Sequence, residues 1–309
     1  MTTSPLANPT ATRALLDEFG LATKHRFGQN FLIDNHVIER IMELAELGAD
    51  DRVLEVGPGI GTLTLALVAE AGRVVSIEMD AELEPVLAAH ARAHGNFRYL
   101  MGDALKVDPA LIAEAAGGEP AVMVANLPYN VAATIILSFF ERMPALERAV
   151  VMVQKEVADR IAAIPGTKAY GAYTVKLSLL AGVTGRFEVP PRCFMPAPHV
   201  DSAVIRLERR ARPAPDEPVE CQGRPGDDGT DRAFTARVVD AAFAQRRKTI
   251  RNSMAASGFD KDVLDRALEA SAIAPTVRAE TLSTEDFVRL AGELARAQGG
   301  SSDEGGALR

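Results

Sequence analysis

From Asp51 to about Gln154, short apolar runs alternate with stretches in which apolar residues recur at helical spacing. The runs Val53–Val56, Val74–Glu78, Phe97–Gly102, Ala121–Asn126 and Ala149–Gln154 carry the β-branched residues and length of buried strands. Between them Leu63–Ala69, Ala81–Ala93 and Val131–Arg142 read as helices. This alternation predicts an α/β fold: a Rossmann-like parallel sheet with helices on both faces. Lys155–Ile164 and Tyr170–Ala181 read as further helices, and Asp201–Arg209 as a late strand of antiparallel type.

The rest of the chain is patterned differently. Residues 210–232 are rich in Pro, Gly and Asp and poor in apolar residues, as a linker or surface loop would be. Ala233–Ala295 is helical in pattern: Phe234, Val238, Val239, Ala242 and Phe243 share one face, and Leu264 and Leu268 share another. A small all-α C-terminal domain follows. Residues 1–12 are Thr-, Ser-, Pro- and Ala-rich, which predicts disorder, and residues 298–309 read as a mobile tail. The predicted division is a partly disordered N-terminal extension 1–23, an α/β domain 24–209, a linker 210–232, a helical domain 233–297 and a tail 298–309.

Composition narrows the setting. Of 309 residues 47% are apolar and 25% charged, enough for one large domain and a smaller one. No apolar run is long enough for a membrane span and no signal pattern opens the chain, so a cytoplasmic protein without membrane association is expected. Cys193 and Cys221 lack metal-ligand spacing and the five histidines are scattered, so no metal is expected. A net charge of −8 argues against nucleic-acid binding until its distribution is considered. Acidic residues crowd 216–231 and the tail, whereas Arg246, Arg247, Lys248 and Arg251 form a local basic cluster that could meet phosphates.

Candidate chemistry gathers at the carboxyl ends of the predicted strands. Glu55-Val56-Gly57-Pro58-Gly59-Ile60-Gly61 joins a strand to a helix, and Gly57 and Gly59 would let a ligand approach the backbone. A dinucleotide site is the rival reading, but its fingerprint is Gly-x-Gly-x-x-Gly. Glu78 ends the second strand, where a carboxylate can accept two ribose hydroxyls. Asp103 ends the third, where it can accept an adenine amino group. Together they place a nucleoside across the carboxyl edge of the sheet. Asn126-Leu127-Pro128-Tyr129-Asn130 ends the fourth: an amide and a backbone carbonyl to accept from an exocyclic amine, a proline to fix the turn, and a ring to stack on a base. The bland alternatives are a packed tyrosine, a solvated basic helix face and ordinary surface acids.

With these residues in hand the chain resembles class I S-adenosylmethionine-dependent methyltransferases, and more narrowly the KsgA-type rRNA adenine N6,N6-dimethyltransferases. The likeness runs from about Lys24 to Leu282. It includes Lys24–Leu32, Glu55–Thr64, Glu78, Asp103, Asn126–Asn130, Phe187–Val204 and Phe243–Ser253. The resemblance implies S-adenosylmethionine contacts at Asn30, Leu32, Gly57, Gly59, Glu78, Asp103 and Asn126. It implies that Lys24–Leu32 closes over the cofactor and that Phe187–Val204 closes the base pocket. Tyr129 and Phe194 would stack on the target base, Asn126 and Leu127 would accept from its N6, and the basic cluster would contact RNA. The implied substrate is a pair of adjacent adenines in the 3′-terminal hairpin loop of small-subunit rRNA, within a pre-30S particle, met by a monomer. Three rivals are a large-subunit rRNA methyltransferase of the macrolide-resistance type, a DNA adenine methyltransferase, and a ribosome-assembly checkpoint or RNA-binding factor without chemistry. The Gln245–Ser253 run argues against the first, and a DNA enzyme should carry a larger target domain.

Overall fold

The computed structural model describes residues 2–21, 30–210 and 232–299. In chain order the elements are α1 (Pro9–Glu18), β1 (Phe31–Leu32), α2 (Asn35–Ala45), β2 (Arg52–Val56), α3 (Thr62–Glu70), β3 (Arg73–Glu78), α4 (Glu84–Ala93), β4 (Phe97–Met101), α5 (Pro109–Ala116), β5 (Val122–Asn126), α6 (Ala132–Arg142), β6 (Arg148–Gln154), α7 (Lys155–Ile161), α8 (Ala172–Ser178), β7 (Ala181–Val189), β8 (Phe194–Met195), β9 (Ser202–Arg209), α9 (Arg232–Phe243), α10 (Ile250–Ala256), α11 (Lys261–Ala270) and α12 (Thr284–Gly299).

Seven strands form one sheet in the order β4-β3-β2-β5-β6-β9-β7. The pairs β2/β3, β3/β4, β2/β5 and β5/β6 are parallel, and β9 runs antiparallel to β6 from Arg148↔Glu208 to Gln154↔Ser202. Strands buried on both faces are apolar throughout. That is why Val53, Leu54, Val74, Val75, Met123 and Val124 are all fully buried and legible as runs. Chain order departs in opposite directions from β2 to β3 and from β2 to β5. Open α/β sheets bind ligands at such a switch point, outside the carboxyl ends of the strands.

By contacts along the chain there are two compact units: Met1–Ala158 with Gly182–Arg209, and Asp159–Ala181 with Arg210–Arg309. The α/β sheet belongs to the first. In the second, α9–α12 pack around Val238, Val239, Ile250, Met254, Leu264, Leu268, Phe287 and Leu290, joined by Tyr170 and Val175. Residues 159–181, which the pattern assigns to the α/β domain, therefore share the helical unit's core. Tyr170 fixes that membership: its hydroxyl donates to the Leu282 carbonyl at 2.8 Å.

Several expectations are revised by the packing. The stretch Ala81–Ala93 is a 3₁₀ turn at Ala81–Leu83 followed by α4. Tyr170–Ala181 holds α8, but at Ala181 the chain enters β7. That strand forms the sheet edge, and its outward residues Val183, Thr184, Arg186 and Glu188 are exposed, so no continuous apolar run marks it. The N-terminal segment is ordered where its composition predicts disorder. Asn8 caps α1 by accepting from the Ala11 amide at 2.8 Å, with Pro9 in the first turn. Ser4 exchanges two hydrogen bonds with the Asn35 side chain (2.7 and 3.1 Å) and is buried. The expected linker, over 211–231, and the tail beyond Gly299 lie outside the described residues, as does Ala22–Gln29. No helix among the described residues is long and apolar enough to cross a membrane.

Candidate active site

A cavity opens at the carboxyl ends of β2, β3 and β5, and the glycine turn forms its floor. After Val56 the chain passes through Gly57, Gly59 and Gly61 before α3 begins at Thr62. Gly59 sits at φ +60°, and a Cβ there would come within 3.3 Å of the Phe31 ring. Gly61, at φ +89°, has the His90 ring 2.7 Å from where a Cβ would stand. Only glycine meets both demands at each position. His90 Nε2 lies 2.9 Å from the Ile60 carbonyl, and burial lowers the pKa of its ring. The neutral ring therefore donates from Nε2 and braces the turn from α4.

Glu78 ends β3 inside this cavity at 7% exposure. One carboxylate oxygen accepts from the Gly59 amide (3.2 Å), the other from the Met79 and Asp80 amides (2.8 and 2.9 Å). Burial raises its pKa against the pull of those three amides. Glu55, on β2, is deeper still. A single oxygen takes the hydroxyls of Thr64 (2.7 Å) and Ser76 (2.6 Å), leaving the other without a hydrogen bond among the described residues. Burial pushes its carboxyl up to about 7, with the charge of Glu78 adding to the rise. The Thr62 hydroxyl, also lining the cavity, is buried with no partner among the described residues. A buried hydroxyl and a half-bonded carboxyl are costly unless a polar ligand completes them. The cavity therefore fits a ligand that brings hydrogen-bonding groups to Thr62 and Glu55.

The strand-end residues singled out in the sequence do not all converge. Asn30, Leu32, Gly57, Gly59, Glu78, Asn126, Leu127 and Tyr129 line one cavity. Asp103 follows β4, one strand beyond Glu78, and is not among its lining residues. Its carboxylate accepts from the Leu105 amide (3.0 Å), and Arg142 of α6 reaches the Leu105 and Val107 carbonyls, pinning the loop that carries it. Asn126 closes β5, beside Met152 of β6, and its side-chain amide makes no hydrogen bond among the described residues. The Leu127 amide is taken by the Met152 carbonyl at 3.0 Å. The Tyr129 hydroxyl meets Ser202 Oγ at 2.7 Å, and burial raises the pKa of its phenol. Phe194 is placed elsewhere: its ring is 3% exposed, packs in the main core and pairs through β8 with Leu32 of β1. It supports the two-residue strand Phe31–Leu32 that follows Asn30, and in this arrangement its ring exposes almost no surface.

In the helical unit the basic cluster divides into two pairs. Arg246 is tied internally, to Glu280 and to the Lys168 and Tyr170 carbonyls (3.2, 2.7 and 3.3 Å). Arg251 forms a two-pronged pair with Asp265 at 2.5 and 2.6 Å, which raises the arginine's pKa and lowers the aspartate's. Arg247 and Lys248 are exposed and have no partner among the described residues.

Sequence reasoning missed Thr62, Ser202 and the standing of Glu55. A carboxylate inside an apolar strand run was the available signal for Glu55; its hydroxyl partners come from α3 and from β3 across the sheet, where Glu55 pairs with Ser76. Ser202, the first residue of β9, lies across β6 from Tyr129, a neighbourhood that only strand order creates.

The sequence profile of the family described as ribosomal RNA adenine dimethylase matches residues 20–296. A protein of Magnetococcus marinus named ribosomal RNA small subunit methyltransferase A is 43% identical over 279 residues, covering 90% of this chain and 94% of that one. A Bacillus cereus protein of the same name is 40% identical over 295 residues, with 94% and 97% coverage. Among solved structures, a dimethyladenosine transferase from Plasmodium falciparum superposes with a TM-score of 0.71 at 23% identity, over 87% of this chain and 98% of that one, a likeness of fold. The 23S rRNA methyltransferase ErmE superposes with a TM-score of 0.61 at 29% identity, over 86% and 100%.

Proposed function

The chain belongs to the ribosomal RNA adenine dimethylase family, and on that premise we propose that it dimethylates N6 of two adjacent adenines in the 3′-terminal hairpin loop of small-subunit (16S) rRNA. It is an S-adenosylmethionine-dependent methyltransferase acting on rRNA adenine. The large-subunit alternative is less favoured: identity is 40–43% with the small-subunit relatives and 29% with ErmE. The observation that carries the chemical reading is the Asn126 amide, without a hydrogen-bond partner among the described residues, beside the Leu127 backbone in the wall of the cavity.

S-adenosylmethionine supplies a methyl carbon carried by a sulfonium leaving group. Glu78 is suited to the ribose hydroxyls, Gly57 and Gly59 to a ligand lying close on the backbone, and Asn30 and Leu32 to the opposite wall. Asp103 would reach the base ring from the loop that Arg142 pins. The amine at N6 is a poor nucleophile because its lone pair is shared with the ring. The Asn126 side-chain oxygen and the Leu127 carbonyl would accept its two hydrogens, drawing the nitrogen towards a tetrahedral shape and freeing the lone pair. No side-chain base is needed, since the N6 proton becomes acidic once the nitrogen is alkylated. Catalysis is then positioning and electrostatics, which are large effects in a pre-formed site. Tyr129 offers a ring for stacking, worth about 1–3 kcal/mol per base, and the target adenine must leave its own stack to reach it. Phe194 enters this reading as support for β1, not as a stacking partner.

The finer setting follows from the same reading: a monomer working in the cytoplasm on a pre-30S particle, with Arg247 and Lys248 as the cations facing RNA phosphates. The test is incorporation of labelled methyl groups from S-adenosylmethionine into unmodified small-subunit particles and, in parallel, large-subunit particles. N6,N6-dimethyladenosine in the small-subunit RNA is expected. Label confined to large-subunit RNA would overturn the assignment.

A further inference from the structure

We propose that Ser202 is a positioning residue for the target base, acting through the Tyr129 hydroxyl; the proposal rests on the reading of Tyr129 as the ring on which that base stacks. The strand order β5-β6-β9 puts the residue that follows β5 and the residue that opens β9 on the two sides of β6. Asn126 pairs with Met152 and Ser202 with Gln154, so the ends of all three strands lie at one edge of the sheet. The Tyr129 side chain crosses the end of β6 and meets Ser202 Oγ at 2.7 Å. Ser202 is fully buried, and its backbone is held in the β6/β9 ladder. The preceding residue is held as well: the Asp201 carbonyl accepts from the Lys155 amide at 2.9 Å.

A tyrosine ring turns about two side-chain bonds, and a hydrogen bond at its far end restricts both. With the phenol oxygen anchored in the sheet, the ring stands in one orientation at the rim of the cavity that Asn126 and Leu127 also line. The bond also engages the phenol, whose pKa burial has already raised, so Tyr129 contributes a ring face and no proton transfer. The hydroxyl at position 202 thus ties the stacking ring to the segment 194–201, which leads into β9.

Three variants separate this proposal from the reading beneath it. Tyr129→Phe keeps the ring and deletes the bond from one side; Ser202→Ala deletes it from the other; Tyr129→Ala removes the ring. Methyl transfer at saturating S-adenosylmethionine and small-subunit particles, the KM for particles, and S-adenosylmethionine affinity by calorimetry are measured for each, and for the Tyr129→Phe/Ser202→Ala double variant. The loss of this part-buried hydrogen bond should slow saturated transfer about fivefold in each single variant. The double variant should be no slower than either single, and cofactor affinity should stay within about twofold, because both variants remove the same interaction. Tyr129→Ala should be slower than all three. Wild-type rates in Tyr129→Phe and Ser202→Ala beside a slow Tyr129→Ala would overturn the proposal and leave the stacking reading standing. Losses that multiply in the double variant would also overturn it. A wild-type rate in Tyr129→Ala would remove the stacking reading itself.

Discussion

Two regions each gather polar or charged residues in one short segment, and the fold treats them in opposite ways. At the carboxyl edge of the sheet several polar groups are incompletely bonded: the half-buried Asn126 amide, the buried Thr62 hydroxyl and one oxygen of the buried Glu55 have no hydrogen-bond partner among the described residues. In the helical unit the cations are exposed or, at Arg251, half-buried, yet two of four are engaged, Arg246 with Glu280 and two carbonyls, and Arg251 with Asp265. An exposed ion pair contributes little to stability, whereas an unpaired buried polar atom carries a desolvation cost that a ligand removes. The number of polar residues in a motif is therefore a poor measure of function. What the fold leaves unpaired along the wall of a cavity is a better one, since Arg210 Nε and Ser271 Oγ are also buried without a partner among the described residues and line no part of the cavity at the sheet edge.

Asn126→Ala should produce the largest effect. If its amide aligns the N6 amine, single-turnover methyl transfer should fall about 100- to 1000-fold, as with the loss of one oriented donor or acceptor at a reacting centre, while RNA affinity measured by filter binding hardly changes. Full activity would mean that another group aligns the amine, and the unpaired amide would lose its meaning.

Glu55→Gln comes next and is read through pH. The folded protein holds the Glu55 carboxyl at about 7, against 4.5 for an unperturbed glutamate. Between those values the folded chain keeps a proton that the unfolded chain releases, so stability falls as pH rises through the window and is level above it. The total is on the order of 3 kcal/mol. Denaturant unfolding of the ligand-free protein between pH 4.5 and 7.5 should show that decline in the native chain and a flatter profile in the variant. Matching profiles would mean that Glu55 is not held protonated.

The helical unit gives the smaller effects, and they should divide as the pairing does. Neutralising Arg247 and Lys248 together should lower the log–log salt slope of rRNA binding by about two units, one per phosphate contact, and leave folding and S-adenosylmethionine affinity unchanged. Neutralising Arg246 should instead cost about 1 kcal/mol of stability through its lost hydrogen bonds, with the exposed pair to Glu280 adding little. If Arg246 and Arg247 variants gave the same salt slope and the same stability, the contrast between engaged and unpaired cations would fail.

The sequence already carried the five parallel strands, because a strand covered on both faces is an apolar run of recognisable length. It also carried β9, and Glu78 and Asn126 as strand-end residues of one site. The edge strand β7, exposed at Val183, Thr184, Arg186 and Glu188 and interrupted by Gly182 and Gly185, left no such mark. The two-residue pair β1/β8 exists only through contacts between Phe31–Leu32 and Phe194–Met195, more than 160 residues apart along the chain. For the same reason Phe194 could be read as a free ring when it is packed in the core. Arg246 read as a surface cation because its acceptors come from Lys168, Tyr170 and Glu280. Each miss depends on a partner distant in sequence; each success is a local pattern.

The central claim is that this chain places two methyl groups on N6 of each of two neighbouring adenines. Mass spectrometry of nuclease-digested small-subunit rRNA, from cells with and without the protein, tests it most directly. The account predicts a 3′-terminal fragment with adjacent N6,N6-dimethyladenosines when the protein is present. Without the protein, the same fragment should be lighter by four methyl groups. An identical fragment mass in the two samples, or a difference confined to large-subunit rRNA, would contradict it.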